Sequence, residues 1–198
     1  RASRHLSEPG WSVLAARTLD FLRRAAWRDG VLYASWKDGE ARFPAYLDDY
    51  AWLLDALAEQ LATEFDPALL DFARELAPAL LGRFEDPAHG GFWFTATGHE
   101  ALIGRQKPIH DDSIPSGNGA AVRALLRLGH LLGEPRWIDA AERALRGFMP
   151  ALAQSPQGSA GLLQALHEWL APPAQVVVRV DAASRAPWQA TVDALRRA

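Results

Sequence analysis

Four aspartates in two adjacent pairs, Asp48-Asp49 and Asp111-Asp112, are the residues whose type and spacing best fit chemistry. The pairs lie 63 positions apart, each at or just before an expected helix. Two carboxyl groups facing across a cleft are what glycosidic cleavage, or hydration of an unsaturated sugar, requires. One delivers a proton while the other acts as base or nucleophile. Asp49 and Asp112 are the expected catalytic pair, and Asp48 and Asp111 are expected contacts to substrate. The same residues also have a purely structural use, because aspartate at a helix start caps free N–H groups and suits the positive end of the dipole.

His110 stands beside Asp111, and a histidine next to a carboxylate can act as the base for epimerisation at a sugar carbon. No second histidine recurs at the repeat spacing, so an epimerase pattern is not reproduced, and a solvated loop histidine is the simpler reading. Ser116-Gly117-Asn118-Gly119 makes a tight polar turn whose N–H groups suit an anion, with Arg105 and Lys107 close by in sequence. Turn and N-cap chemistry explains the same residues. Trp36 and Trp93 lie in loops between helices, where flat aromatic faces can stack on sugars, although tryptophan also fills gaps in helical cores. The remaining histidines have no metal-ligand spacing, so neither a metal nor a cofactor is implied. No phosphate loop, Ser-His-Asp order or nucleotide fingerprint occurs.

The elements that must position these groups are helices of two alternating kinds. Residues 9–27, 67–84 and 135–152 each carry one apolar stripe: Trp11, Leu14, Thr18, Phe21, Leu22 and Ala25 in the first, and Leu69, Phe72, Ala73, Leu76, Leu80 and Phe84 in the second. Each begins near a proline (Pro9, Pro67, Pro135), whose missing N–H has no intrahelical partner there. Such a stripe marks a surface helix with one buried side. Residues 49–62, 118–132 and 158–170 are apolar or small around most of their circumference and need cover on nearly every side. An outer ring packed on an inner ring explains the alternation.

The connections repeat too. Gly30 in Asp29-Gly30-Val31-Leu32-Tyr33 and Gly91 in Gly90-Gly91-Phe92-Trp93-Phe94 are 61 residues apart. A duplicated unit follows: outer helix, loop with a short β-hairpin, inner helix. Three such units predict an all-α fold, an α/α-hairpin toroid forming half or part of an (α/α)6 barrel over residues 1–171. Beyond Pro172-Pro173, residues 175–180 read as a strand and 184–197 as a helix, a tail at the start of a truncated element.

Composition narrows the partners. The net charge of −3 leaves no basic field for nucleic acid. Without cysteine, thiolate sites and disulfides are excluded, which agrees with a cytoplasmic address. No signal peptide is expected, and no apolar run is long enough to span a bilayer. Half a toroid exposes apolar flanks, so self-association or a missing half-barrel is expected to cover them.

The loop residues occur in a particular order: Leu47-Asp48-Asp49-Tyr50-Ala51, Gly90-Gly91-Phe92, Arg105-Gln106-Lys107-Pro108, then Asp111 through Asn118. In that order they resemble the C-terminal region of the YyaL-type thioredoxin-domain-containing proteins, the spermatogenesis-associated protein 20 family. The resemblance implies an (α/α) barrel similar to those of six-hairpin glycosidases and N-acylglucosamine 2-epimerases. The expected mouth of the inner ring, residues 33–50 and 92–118, adds Tyr50 to the expected substrate contacts with Trp36, Trp93, Arg105, Lys107, Ser116 and Asn118. The family's thioredoxin-like domain and its cysteines are not in this chain, so no redox activity carries over.

Two functional readings follow. In one, the mouth of the inner ring binds or processes a small-molecule sugar, as a hydrolase- or epimerase-like enzyme. In the other, the helices are a non-catalytic scaffold for a thioredoxin-like domain or another partner.

Overall fold

The computed structural model describes residues 2–6, 8–99, 103–179, 181, 188, 190–192 and 194–195. After a single turn, α1 (Ala2–His5), come the six expected helices: α2 (Pro9–Ala25), α3 (Leu47–Thr63), α4 (Pro67–Phe84), α5 (Gly117–Leu132), α6 (Pro135–Gln154) and α7 (Ala160–Leu170). Their starts follow from local chemistry. Proline opens α2, α4 and α6. The Asp66 carboxylate accepts from the Ala68 N–H (2.8 Å) at the start of α4, and the Ser116 hydroxyl accepts from the Gly119 N–H (3.2 Å) at the start of α5. Gly133, at φ +67°, ends α5 in the left-handed conformation that glycine adopts without strain.

The connection after α2 is a three-stranded antiparallel sheet of β1 (Trp27–Arg28), β2 (Val31–Lys37) and β3 (Glu40–Pro44). Trp27 pairs with Leu32 and Trp36 with Ala41. Both turns are Asp-Gly pairs with positive φ at each residue, as two-residue hairpins demand. The hairpin expected around residues 90–94 is reduced to one bridge, Glu85 to Phe92. There Gly90 and Gly91 (φ +75° and +80°) press onto α6, and a Cβ on Gly90 would sit 2.2 Å from the Arg143 carbonyl oxygen. Close contact with α6 replaces strand pairing.

Helices α3, α5 and α7 lie side by side as an inner layer, with α4 packed on α3 and α6 on α5. The core is formed where these layers meet: Leu54, Leu57, Phe72, Leu76, Ala121, Leu125 and Leu145 are no more than 1% exposed. A second buried system crosses the inner layer. Arg123 donates to Asp55 (3.1 and 2.6 Å) and to Gln164 (2.7 Å). One turn on, Arg127 donates to Glu168 (2.8 and 2.7 Å) and pairs with Glu59, which also holds Arg4 of α1 (2.7 Å). Two rungs in step fix the three inner helices as parallel and in register.

Two expectations are corrected. The stripe of α2 meets the core only at its C-terminal end: Trp11, Leu14 and Phe21 are 47%, 63% and 41% exposed, while Leu22 packs on the core, Ala25 is buried, and Ser12 and Leu19 beside the stripe are buried too. α4 and α6 each lay their stripe on the inner helix before them, and among the described residues no inner helix precedes α2. Residues 175–179 form no strand, since no partner strand lies beside them among the described residues, and Val176 and Val177 are exposed. The helix expected over 184–197 falls mostly outside the described residues.

Candidate functional site

The N-termini of the three inner helices meet at one end of the arc, and the two aspartate pairs converge there on the start of α5. A Cβ on Gly117 would lie 2.0 Å from Asp48 Oδ1. Asp111 accepts from the Ser116 N–H (3.0 Å) and the Gly161 N–H (2.8 Å), tying the start of α5 to that of α7. Asp48 and Asp111 are thus repeat equivalents, each set against the first turn of the next inner helix.

The four carboxyls have different environments. Asp49 accepts from the Tyr46 N–H (2.9 Å) and so caps its own helix while exposed. Asp111 is committed to the two amides just described. Asp112 lies in the loop five residues ahead of Gly117, the first residue of α5; it is exposed, and its carboxylate takes no partner among the described residues. Asp48 is half-buried, and its Oδ1 has no hydrogen-bond partner of normal geometry among the described residues. Burial pushes its carboxyl above the ordinary value of 3.8, the charge of Asp49 adds to this, and the Gly117 N–H partly offsets it. A carboxyl so placed holds its proton more readily than a free aspartate does.

The other expected contacts divide. Tyr50 belongs to the core at 1% exposure, and its hydroxyl accepts from the Leu32 N–H (2.8 Å), so it is not available to a ligand. Asn118 is fully buried: it accepts from the Phe92 N–H (2.9 Å) and donates to the carbonyls of Phe92 and Pro108 (both 3.0 Å). It clamps two stretches of the connection between α4 and α5 and does not touch the surface. Ser116 is a buried N-cap. Lys107 binds Asp86 (2.6 Å) and the Gly90 carbonyl (2.7 Å), with its ammonium 4.3 Å from the Trp93 ring centre. Arg105 also lies over Trp93, at 5.1 Å, and donates to the Thr95 carbonyl. The Trp93 face therefore already carries two cations. Trp36 is 44% exposed on β2 and meets Phe21 edge-on at 5.4 Å. His110 is exposed, with Nδ1 3.2 Å from the Ser159 hydroxyl.

A pocket of about 170 Å³ opens between α3, α5 and α7 near their N-termini, lined by Trp52, Pro115, Gly119, Arg123, Gly161 and Gln164 among others. Glycine lets α5 and α7 pack closely beside it, since a Cβ on Gly119 would sit 2.8 Å from the Gly161 carbonyl carbon. Trp52 gives an aromatic wall, and its indole N–H is buried without a partner among the described residues. Arg123 and Gln164 give a hydrogen-bonding floor. Sites that enclose a whole ligand run to roughly 300–1,000 Å³, so this pocket holds one part of a ligand. Trp52 is among the tryptophans that could stack on a sugar by sequence, but sequence reasoning missed Arg123 and Gln164. The available signal was charge inside apolar helices, namely Asp55, Glu59, Arg123 and Arg127 at matching four-residue intervals.

Parallel inner helices with an open mouth, partly wrapped by outer helices, define the class: a partial α/α-hairpin toroid. By sequence the chain is weakly homologous to spermatogenesis-associated protein 20. It is 27% identical to the Mus musculus protein over 116 residues, covering 56% of this chain and 14% of that protein. Identity to the Homo sapiens protein is 26% over 141 residues, covering 69% and 17%. The chain therefore spans less than a fifth of the length of these relatives. No protein-family model matches it. Among solved structures it is similar to the unsaturated glucuronyl hydrolase of Bacillus sp. GL1, responsible for degradation of glycosaminoglycan. The TM-score is 0.52 at 20% identity, covering 74% of this chain and 42% of that one. That likeness shows the α/α-toroid fold. Among the described residues no helix is long and apolar enough to cross a membrane.

Proposed function

We propose that the mouth of the inner helices binds a carbohydrate. The observation that carries this reading is the pocket, where the aromatic wall of Trp52 stands beside the planar hydrogen-bonding groups of Arg123 and Gln164. A sugar ring presents C–H groups to an aromatic face and hydroxyls to planar donors and acceptors, so the lining matches its two-sided chemistry. The glycosidase-type fold neighbour supports it. Within this reading, Asp48 and Asp112 are the carboxyls left with chemistry to do. Asp48 holds a proton readily, and Asp112 is an uncommitted base three residues before Pro115 on the pocket rim.

Titrating neutral and acidic mono- and disaccharides by calorimetry tests it. Wild type is expected to bind at least one sugar, with Gln164→Ala and Asp112→Asn each weakening binding about tenfold, the loss of one hydrogen bond to a charged or polar partner. Asp112→Asn should leave the melting temperature unchanged, whereas Gln164→Ala also removes an acceptor of the buried Arg123 and should lower it. Wild type that binds no sugar in the panel rejects the reading. The scaffold alternative would then stand, and the structural commitment of Asp49, Asp111, Tyr50 and Asn118 favours it.

A further inference from the structure

We propose that the pocket between α3, α5 and α7 selects a sugar substituent with a carbonyl-type oxygen, an acetamido or carboxylate group, over a hydroxyl. The inference rests on the carbohydrate reading and names the part of the sugar that enters. It follows from the hydrogen bonds still open on the lining, whose polar side chains are Trp52, Arg123 and Gln164. An indole N–H and a guanidinium only donate, whereas a carboxamide donates through nitrogen and accepts through oxygen. The one acceptor atom among these side chains is therefore Gln164 Oε1, and it already takes Arg123 Nη1 at 2.7 Å.

What is left open is donors. Because Arg123 has nothing to offer but N–H groups, the pair also fixes which way the Gln164 amide lies. Its Nε2 is left with no partner among the described residues, on a side chain at the surface. Arg123 is 5% exposed and is held by Asp55 through Nε and Nη2 (3.1 and 2.6 Å), which leaves a further N–H on each Nη atom. The Trp52 indole N–H is another donor without a partner among the described residues. A hydroxyl entering this pocket accepts from these donors but leaves its own proton without an acceptor, and an unpaired buried donor costs free energy. A carbonyl-type oxygen brings lone pairs and no proton, so it matches the lining. The charge of Arg123 is already balanced by Asp55, so an uncharged acetamido group meets the same donors as a carboxylate. A pocket of about 170 Å³ suits a substituent of this size rather than a whole ring.

Calorimetry on matched ligands tests it, with N-acetylglucosamine and glucuronate each compared with glucose. At least one of the two is expected to bind wild type about tenfold more tightly than glucose, and which one does so identifies the substituent. Gln164→Glu keeps an acceptor for Arg123 and replaces the Nε2 donor with a second acceptor, at an exposed position. Its helical circular dichroism should match wild type while the tenfold advantage disappears. That loss is read on N-acetylglucosamine, or on the uncharged methyl ester of glucuronate, so that repulsion by the new carboxylate plays no part. Glucose bound by wild type as tightly as both other sugars overturns the inference, needs no variant, and leaves the carbohydrate reading standing. An advantage that survives Gln164→Glu overturns it equally. No binding of any sugar rejects the carbohydrate reading and this inference with it.

Discussion

The outer helices α2 and α4 start alike, with proline in the first turn and an apolar stripe at helical spacing. In α4 the stripe from Leu69 to Phe84 is buried, each member no more than 2% exposed, against the inner layer. In α2 the stripe from Trp11 to Phe21 faces outward, and the helix meets the body through Leu22 and Ala25 at its end together with Ser12 and Leu19. An apolar stripe states that a face needs cover; it does not state what covers it. That depends on which inner helix comes before, a fact of chain order beyond any single helix.

The largest effect that tests this contrast is truncation within the two stripes. Phe72→Ala in α4 should cost about 3–5 kcal/mol, because the surroundings of a fully buried ring cannot close over the cavity. Leu14→Ala in α2 should change stability by no more than about 0.5 kcal/mol when the chain is dilute enough to be monomeric. Urea midpoints at unchanged slope measure both. Equal losses would mean that α2 is packed as tightly as α4.

The connections that follow the two helices differ in the same way. The one after α2 is a self-contained sheet, with Tyr50 adding one bond to the Leu32 N–H. The one after α4 depends on a distant side chain, Asn118, for three bonds. Asn118→Ala should cost about 1–3 kcal/mol for buried partners left unpaired, and Tyr50→Phe about 0.5–1.5 kcal/mol. A larger loss at Tyr50 would reverse the contrast.

That dependence also explains what could be read from the sequence. Helix positions, their alternation and the partial toroid are periodic features, written locally in residues such as Pro67 and the stripe from Leu69 to Phe84. The convergence of both aspartate pairs on one end followed from the repeat. The division of labour among them did not, because Asp111 finds its partners 5 and 50 residues away, at Ser116 and Gly161. Asn118 looked like turn chemistry since its loop partners, Phe92 and Pro108, are non-local. The pocket was hidden because Trp52 and Gln164 meet only when three helices align.

Acid should act on the α4 side first. Lys107 holds the Asp86 carboxyl far below its ordinary value of 3.8, against the opposing effect of burial and with help from the His89 and Ala88 N–H groups. A depressed folded value adds stability that is present above the ordinary value and is lost as pH falls toward the folded one. The denaturation midpoint should therefore drop as pH is lowered through the carboxylate range, and Lys107→Met should flatten that drop. Asp48 has the opposite sign. Its raised value adds stability that is present at low pH and lost as pH rises through the folded value, so Asp48→Asn should stabilise the chain near neutrality. Asp48→Asn that weakens the fold at neutral pH would show that its carboxylate is well paired.

The smallest expected difference lies at the first turns of the two helices. Asp66 opens α4 with its carboxylate on the Ala68 N–H at 2.8 Å, satisfying one of the free donors and placing negative charge at the positive end of the dipole. Glu8 stands at the same position before α2 and makes no side-chain cap bond, since its longer side chain does not bring the carboxylate back onto the first-turn amides. Asp66→Ala should thus cost about 0.5–2 kcal/mol, and Glu8→Ala almost nothing. Glu8→Asp, which shortens the side chain by one methylene, should recover part of a cap and stabilise α2. Hydrogen exchange at the first-turn amides reads each helix separately, so it distinguishes a local gain from a global one. Slower exchange in α2 of the Glu8→Asp variant, with α4 unchanged, is the expected result. If Glu8→Ala instead speeds exchange in α2 as much as Asp66→Ala does in α4, the two starts are equivalent and the helices differ only in what covers them.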